Sequence, residues 1–207
     1  MVCPHSDVFC CANALTPASC VVPTGTLALI ATEHAETLVH SSFTPIENAD
    51  FVASITVDST RMTVYIIKRP WLDFFLQQAA AVFEVVVFTA SLAQYANVVL
   101  DHVDPLNTVS ARLFRESCVP HNGSYVKDLA RLGRPLARTL LLDNSPASYA
   151  FQPANGVPSA TFLDDCSDTG LLDILEVLLR VRAAPDVRLA LPAACADVGY
   201  EVPSDDA

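Results

Sequence analysis

Leu140-Leu141-Leu142-Asp143-Asn144-Ser145-Pro146 is an apolar run that ends in a carboxylate, an amide, a hydroxyl and a proline. A short apolar run closed by a turn signal is the pattern of a strand buried on both faces of a parallel sheet. In open α/β sheets, ligands bind just beyond the carboxyl ends of such strands, which is where Asp143 and Asn144 fall. Two other stretches have the same shape. One is Val85-Val86-Val87-Phe88, followed by Thr89-Ala90-Ser91; the other is Leu27-Ala28-Leu29-Ile30, running out toward Glu33. Three such strand ends predict one site at one edge of one sheet.

The segments between them alternate with these strands. Pro70 suits the first turn of a helix, and Trp71, Phe74, Phe75, Val82 and Phe83 give it an apolar stripe. Ser91 is placed to cap a helix carrying Leu92, Tyr95, Ala96 and Val99, and Asp168 to cap one carrying Leu171, Leu172, Leu175, Leu178 and Leu179. A last short strand is expected around residues 160–163. Phe51, Ala53, Ile55 and Val57 alternate, Asp58-Ser59-Thr60 turns, and Met62, Val64 and Ile66 resume the alternation, which predicts a β-hairpin with one covered face. The expected class is α/β: a central parallel sheet flanked by helices, with a β-hairpin insertion. Residues 1–25 show no period and read as a loose leader, 26–183 as the domain, and 184–207 as an acidic tail.

The chain has 207 residues, 52% of them hydrophobic, and a net charge of −11, enough for one domain with a sizeable core. The acidic balance argues against direct nucleic-acid binding, which needs a basic face to neutralise phosphates. It leaves room for a phosphoprotein, because a few local cations hold one phosphate. No run reaches the 18 or so apolar residues of a membrane span. The seven cysteines are odd in number and irregularly spaced, with no paired CxxC knuckles, so they read as reduced thiols of an intracellular protein and not as a zinc site. Cys118 and Cys166 read as small core residues, and the adjacent Cys10 and Cys11 as a potential palmitoylation site.

Thr89 offers a hydroxyl and a backbone N–H at a strand-to-helix junction. Lys127 is a lone cation in Ser124-Tyr125-Val126-Lys127-Asp128-Leu129, and Asp143 and Asn144 offer hard oxygens of the kind Mg²⁺ prefers. Singly, these are a helix cap, a solvated lysine and a turn former; in this order they are a set for holding a phosphoryl group.

The blocks around them are similar to the small phosphatases of the RNA polymerase II C-terminal domain, which share the FCP1-homology domain within the haloacid-dehalogenase superfamily. The stretches that carry the resemblance are Glu-Thr-Leu-Val-His-Ser-Ser-Phe (36–43), Tyr-Ile-Ile-Lys-Arg-Pro (65–70), Phe-Thr-Ala-Ser-Leu-Ala-Gln-Tyr-Ala (88–96), Ala-Arg-Leu-Phe-Arg-Glu-Ser-Cys (111–118), Tyr-Val-Lys-Asp-Leu (125–129), Asp-Asn-Ser-Pro-Ala-Ser-Tyr (143–149) and Asp-Asp-Cys-Ser-Asp-Thr (164–169). The resemblance implies a nuclear, Mg²⁺-dependent serine/threonine phosphatase acting on phosphorylated Ser-Pro sites through an aspartyl-phosphate intermediate. It implies that Thr89 and Lys127 hold the phosphoryl group and that Asp143 and Asn144 bind Mg²⁺. Phe43, Ile55, Val57, Val64, Leu92 and Tyr95 would line an apolar pocket for the substrate proline, and Arg115 would touch substrate or its phosphate. The family's first motif, Asp-x-Asp-x-Thr, is not kept. Counting back from Thr37, its nucleophile position holds Glu33 and its acid–base position Ala35. This implies weak or absent turnover, with a non-catalytic phospho-Ser-Pro binding module as the alternative. The resemblance begins at Glu36, so residues 1–35 failing to build the first strand is a third expectation.

Overall fold

Thr139–Asp143 is a strand with every residue buried, and it pairs in parallel with Leu27–Ala31, which pairs in parallel in turn with Phe83–Phe88. The computed structural model describes residues 27–31, 36–57 and 59–200. In chain order the elements are β1 (Leu27–Ala31), β2 (Val39–Ser42), β3 (Phe51–Val57), β4 (Thr60–Lys68), α1 (Leu72–Ala80), β5 (Phe83–Phe88), α2 (Ala93–Val103), β6 (Ala111–Leu113), β7 (Val119–His121), β8 (Ser124–Val126), β9 (Thr139–Asp143), β10 (Gly156–Pro158), α3 (Gly170–Val181) and α4 (Val187–Ala196). The main sheet has the order β10-β9-β1-β5-β6 and is parallel throughout. The expected first strand therefore exists, and it is the central one.

Side chains of the central strands alternate between two clusters, as a period of two dictates. Val85, Leu140 and Leu142 join the larger cluster, to which all four α-helices contribute, while Val86, Phe88 and Leu141 join Cys118, Leu129 and Tyr149 in a smaller one. The predicted hairpin is present as β3–β4, with Ile55 paired to Met62 and Ala53 to Val64. β2 adds to it as an antiparallel third strand, with Val39 opposite Lys68, where the sequence predicts a loop. The insertion is seated on α2 by the ring of His102, stacked 4.6 Å from Phe51.

Four other expectations shift. Leu92, not Ser91, is the N-cap of α2, because the Ser91 N–H is turned back to the Thr89 hydroxyl at 3.0 Å. The strand expected at 160–163 lies earlier, at β10; the Ala160 carbonyl accepts from Arg69 and the Phe162 N–H goes to the Glu36 carbonyl, so neither is available to the ladder. The acidic tail begins later than 184, since α4 buries Val187, Leu191 and Cys195 completely. Cys166 is exposed, whereas Cys118 is buried.

One side chain connects the two sheets and α3. Arg69, directly after β4, is 1% exposed. Its Nε and Nη2 bind both oxygens of Asp168 at 2.8 and 3.0 Å. Nη1 donates to the Thr37 carbonyl at 3.0 Å, the Ser159 hydroxyl at 2.7 Å and the Ala160 carbonyl at 3.2 Å, and the guanidinium lies over the ring of Phe162. The planar fork suits this bidentate pairing in a way lysine cannot. Gly170 opens α3 against the same guanidinium, where a Cβ would collide with Nη2. Thr169, not Asp168, is the N-cap of α3; Asp168 precedes it and accepts from the Gly170 N–H at 3.0 Å while serving as the arginine's counter-ion.

Replacing Arg69 with Met strands Asp168 and three acceptors, and removing one partner of a buried pair typically costs about 3–5 kcal/mol; urea denaturation of Arg69→Met is expected to show a loss of that size, with only partial recovery in Arg69→Lys. Tyr149 behaves oppositely. It is 1% exposed, and its hydroxyl has no hydrogen-bond partner among the described residues. Tyr149→Phe is expected to raise stability at neutral pH by about 1 kcal/mol, because an unsatisfied buried group is removed. Burial, then the Asp143 charge, push this phenol up to about 12 from 10.0. The unfolded chain therefore releases that proton first, and stability falls as pH rises from about 10 to 12, by about 2 kcal/mol. Tyr149→Phe is expected to flatten that part of an alkaline denaturation profile, leaving the fall from Cys195, whose thiol is pushed up to about 11.

Candidate active site

The carboxyl ends of β5 and β9 lie on either side of β1, so the loops leaving them face one another. Between them is a cavity of about 290 Å³, lined by Glu36, Ala90, Ser124, Tyr125, Lys127, Asp143, Asn144, Ser145, Ala147 and Ser148. Of the predicted phosphate- and metal-site residues, the structure brings Lys127, Asp143 and Asn144 to this cavity.

Lys127 follows β8, and its backbone N–H donates to the Ser148 carbonyl at 2.8 Å, which fixes the β7–β8 ribbon over the turn after β9. Its ammonium reaches Asp143 Oδ2 at 2.5 Å and Ser148 Oγ at 3.4 Å. Lysine and aspartate are each 3% exposed, so this is not the solvated cation that Lys127 resembles in isolation. Asp143 Oδ1 accepts from the Ser145 N–H at 2.8 Å. Both carboxylate oxygens thus hold one donor each, and a buried charge pair persists when its remaining polar atoms are satisfied in this way.

Asn144 is oriented by Thr37. The threonine hydroxyl donates to Asn144 Oδ1 at 3.1 Å and accepts from the Asn144 N–H at 3.2 Å, while Nδ2 donates to Thr161 Oγ1 at 3.2 Å. Because Arg69 holds the Thr37 carbonyl, the arginine clamp reaches the cavity through one residue. The Asp143 carboxylate and the Asn144 amide oxygen are hard donors side by side, and Mg²⁺ commonly takes one or two protein oxygens and completes its octahedron with water and phosphate. That donor set fits Mg²⁺, although no cluster of three His, Cys, Asp or Glu exists among the described residues.

Thr89 is fully buried behind Ala90. Its backbone N–H, offered by the sequence as an oxyanion donor, is spent on the Leu113 carbonyl at 2.8 Å. Its hydroxyl accepts from the Ser91 N–H and retains its own proton to give. Cys118 packs behind it, with Sγ 3.7 Å from the Thr89 carbonyl. Burial pushes this thiol up despite the nearby Lys127 and Arg115 charges, which keeps it protonated and un-nucleophilic. Arg115 lies at the rim, its Nε donating to the Ala90 carbonyl at 2.6 Å and its guanidinium 5.2 Å from the centre of the Tyr125 ring.

The predicted proline pocket divides into a surface and a support. Phe43 is 61% and Leu92 36% exposed, and Tyr95 is half-buried, with its ring 6.5 Å from that of Phe43 and its hydroxyl donating to Ser41 at 2.6 Å. Ile55 and Val64 are core residues at 2% and 1%, and Val57 packs against the same core, so these three stand behind the surface. Glu33 and Ala35 lie outside the described residues, as do Cys10 and Cys11.

Glu36 was given no role by the sequence. Its φ is 89°, which is uncommon for a residue with a side chain and costs of order 1–3 kcal/mol. Two backbone bonds hold it there: its N–H to the Val39 carbonyl at 2.9 Å, and its carbonyl from the Phe162 N–H at 2.6 Å. Ser124, Tyr125, Ser145 and Ser148 also line the cavity; Tyr125 lies in the Tyr-Val-Lys-Asp-Leu stretch (125–129) with Ser124 directly before it, and Ser145 and Ser148 lie in Asp-Asn-Ser-Pro-Ala-Ser-Tyr (143–149).

Among known proteins, residues 33–188 match the family described as NLI interacting factor-like phosphatase. The human carboxy-terminal domain RNA polymerase II polypeptide A small phosphatase 2 is 54% identical over 156 residues, covering 75% of this chain and 58% of that protein. Human small phosphatase 1 of the same name is 55% identical over 152 residues, covering 73% and 58%, so the chain spans less than two thirds of the relatives it matches. A structure of fission yeast RNA polymerase II CTD phosphatase Fcp1 bound to beryllium fluoride superimposes with a TM-score of 0.55 at 16% identity, covering 88% of this chain and 59% of that one, and shares the fold. With the parallel sheet, the insertion and the strand-end cavity in place, the chain belongs to the NLI interacting factor-like, FCP1-type phosphatase family.

Proposed function

We propose that this chain binds phosphorylated Ser-Pro segments of a nuclear protein, of the kind carried by the RNA polymerase II C-terminal domain, in a Mg²⁺-dependent phosphatase site whose hydrolytic step is severely slowed. The observation that carries the binding half is Lys127: a buried ammonium at a cavity floor, held in place by Asp143. A phosphoryl group entering there meets a cation already oriented, so little reorganisation opposes binding. The Thr89 hydroxyl retains a proton that it would give to a phosphoryl oxygen, and the Asp143 carboxylate and the Asn144 amide oxygen would hold the metal. Bound Mg²⁺ would neutralise charge on the phosphoryl oxygens. The exposed Phe43 and Leu92 with Tyr95 offer an apolar surface for the proline that follows the phosphoserine, and Arg115 at the rim meets the chain beyond it. Nuclear residence rests on the RNA polymerase II substrates in the relatives' names. Among the described residues, no helix is long and apolar enough to cross a membrane.

The observation that favours a binding module as the second reading is Ala35, which has no proton to deliver to a leaving group. Loss of a general acid typically costs about 10²–10⁴-fold, and displacing a reacting carboxylate by about 1 Å, as with the longer Glu33, costs on the order of 10²-fold more.

Turnover of p-nitrophenyl phosphate with Mg²⁺ by the native chain is expected to lie at least about 10²-fold below that of the Glu33→Asp/Ala35→Asp double variant. Both chains are expected to bind a phospho-Ser-Pro peptide over its unphosphorylated twin, with that preference lost in Lys127→Met. Native turnover equal to the double variant's would reject the slowed step, and equal binding of the two peptides would reject the phosphoryl site.

A further inference from the structure

The loop between β2 and β3 opens with Phe43-Thr44-Pro45. Thr44 and Pro45 are exposed and lie past the last rung of the β2–β4 ladder, where Ser42 faces Tyr65. The Thr44 N–H donates to the Ser42 hydroxyl at 3.0 Å, and the two hydroxyls are 2.8 Å apart, a local turn that keeps Thr44 at the surface. A hydroxyl followed by proline occurs three times in the sequence, at Thr16-Pro17, Thr44-Pro45 and Ser145-Pro146. Thr16 lies outside the described residues, and Ser145 lines the cavity with its N–H on Asp143. Thr44 stands instead beside the apolar surface. Phe43, directly before it, is 61% exposed with its ring 6.5 Å from that of Tyr95, and the Tyr95 hydroxyl is held by Ser41. Residues 41–44 thus carry the aromatic face and an accessible hydroxyl on one stretch. Their surroundings are acidic: residues 36–60 include Glu36, Glu47, Asp50 and Asp58 and neither lysine nor arginine. The cations of the strand opposite, Arg61 and Lys68, are engaged by Ser54 and Asp73.

We propose that Thr44 is a phosphorylation site for a proline-directed protein kinase, and that the phosphoryl group placed there repels the phosphorylated segment that docks over Phe43. The effect on docking rests on the reading of Phe43, Leu92 and Tyr95 as the proline surface; the modification itself does not. In the transfer, Thr44 Oγ1 bonds to the γ-phosphorus of a nucleoside triphosphate, the bond from that phosphorus to the bridging oxygen breaks, the nucleoside diphosphate leaves, and the hydroxyl proton passes to the kinase's base. The product carries a charge of about −1.5 to −2. A new phosphate orders a segment where an arginine cluster receives it and disrupts where it meets like charge. Here the neighbouring sequence is acidic and the incoming ligand is itself a phosphate, so the sign is repulsive.

The test treats the full chain with a proline-directed serine/threonine kinase and ATP, maps the product by mass spectrometry, and titrates treated and untreated chains with a phospho-Ser-Pro peptide. The native chain, Thr44→Val and Pro45→Ala are compared. Phosphate is expected on Thr44 of the native chain and to be lost from that position in both variants. Phosphorylation of the native chain is expected to weaken peptide binding about three- to tenfold at low salt, and by less than about twofold in about 1 M salt, where the screening length falls to about 3 Å. Untreated Thr44→Val is expected to bind as the native chain does. Treated Thr44→Val, which keeps any phosphate placed on Thr16 or Ser145, is expected to bind like its untreated form. A native chain that gains no phosphate on Thr44 overturns the modification site. Equal peptide binding by the native chain before and after stoichiometric phosphorylation of Thr44, or the same weakening in treated Thr44→Val, overturns the repulsion. Failure of the untreated native chain to prefer the phosphopeptide over its unphosphorylated twin overturns the phospho-Ser-Pro reading beneath it, and leaves the mapping of Thr44 as a separate result.

Discussion

The Arg69 guanidinium is the constraint on which the rest of the structure depends. Three segments that are far apart in sequence converge on it: the loop entering β2, the strand exit after β10 and the start of α3. Each brings an acceptor that would lose the guanidinium as a donor if the arginine were absent, and buried acceptors are costly to leave unmade. The arrangement also explains why the insertion and the sheet act as one frame. β4 ends at Lys68, so the base of the insertion is anchored one residue later to the carbonyl of Thr37, whose hydroxyl in turn sets Asn144. The position of an amide oxygen in the cavity is thus decided by a residue that does not line it.

The cavity itself is organised around opposing charges in a small buried volume. Lys127 and Asp143 hold one another, Ser145 and Ser148 take up remaining lone pairs and protons, and Glu36 contributes a negative charge from a strained backbone. Strain of this sort persists only when the surroundings over-determine it, and here the surroundings are two backbone hydrogen bonds from different elements. The electrostatics is therefore built by the loops, while the sheet supplies only their common origin.

Much of this was legible because it was local. The three apolar runs that announce β1, β5 and β9 need nothing beyond their own composition to be strands, and the alternation over 51–66 needs nothing beyond period two to be a hairpin. What failed to show was whatever depends on a distant partner. β2 reads as a loop because Val39 to Ser42 becomes a strand only by pairing with β4. Residues 160–163 are apolar enough for a strand, yet their polar groups go to Arg69 and Glu36. α4 was hidden by Pro192 inside it and by the acidic residues beyond, although Asp186 caps it through the Arg188 N–H. In the site, Asp143, Asn144 and Lys127 were found through ordered motifs, whereas Arg69 sits in a quoted motif and reveals its partners only in three dimensions. The Thr89 N–H was assigned to an anion because the sequence does not show that Leu113 takes it.

The main sheet ends on two very short strands, β6 and β10, each of three residues. β6 carries Arg112, which is held against α2 by Asn97 at 3.1 Å and Asp101 at 2.7 Å, and β10 closes on Pro158, which has no N–H to offer. Open parallel sheets are templates for foreign strands wherever their outer edge is long, flat and apolar. Here the apolar strands that would aggregate most readily, β1, β5 and β9, are the three interior ones, and each border is brief and carries either a charge or a proline. The main sheet of a chain that is 52% hydrophobic thus presents its least strand-like segments at its two edges.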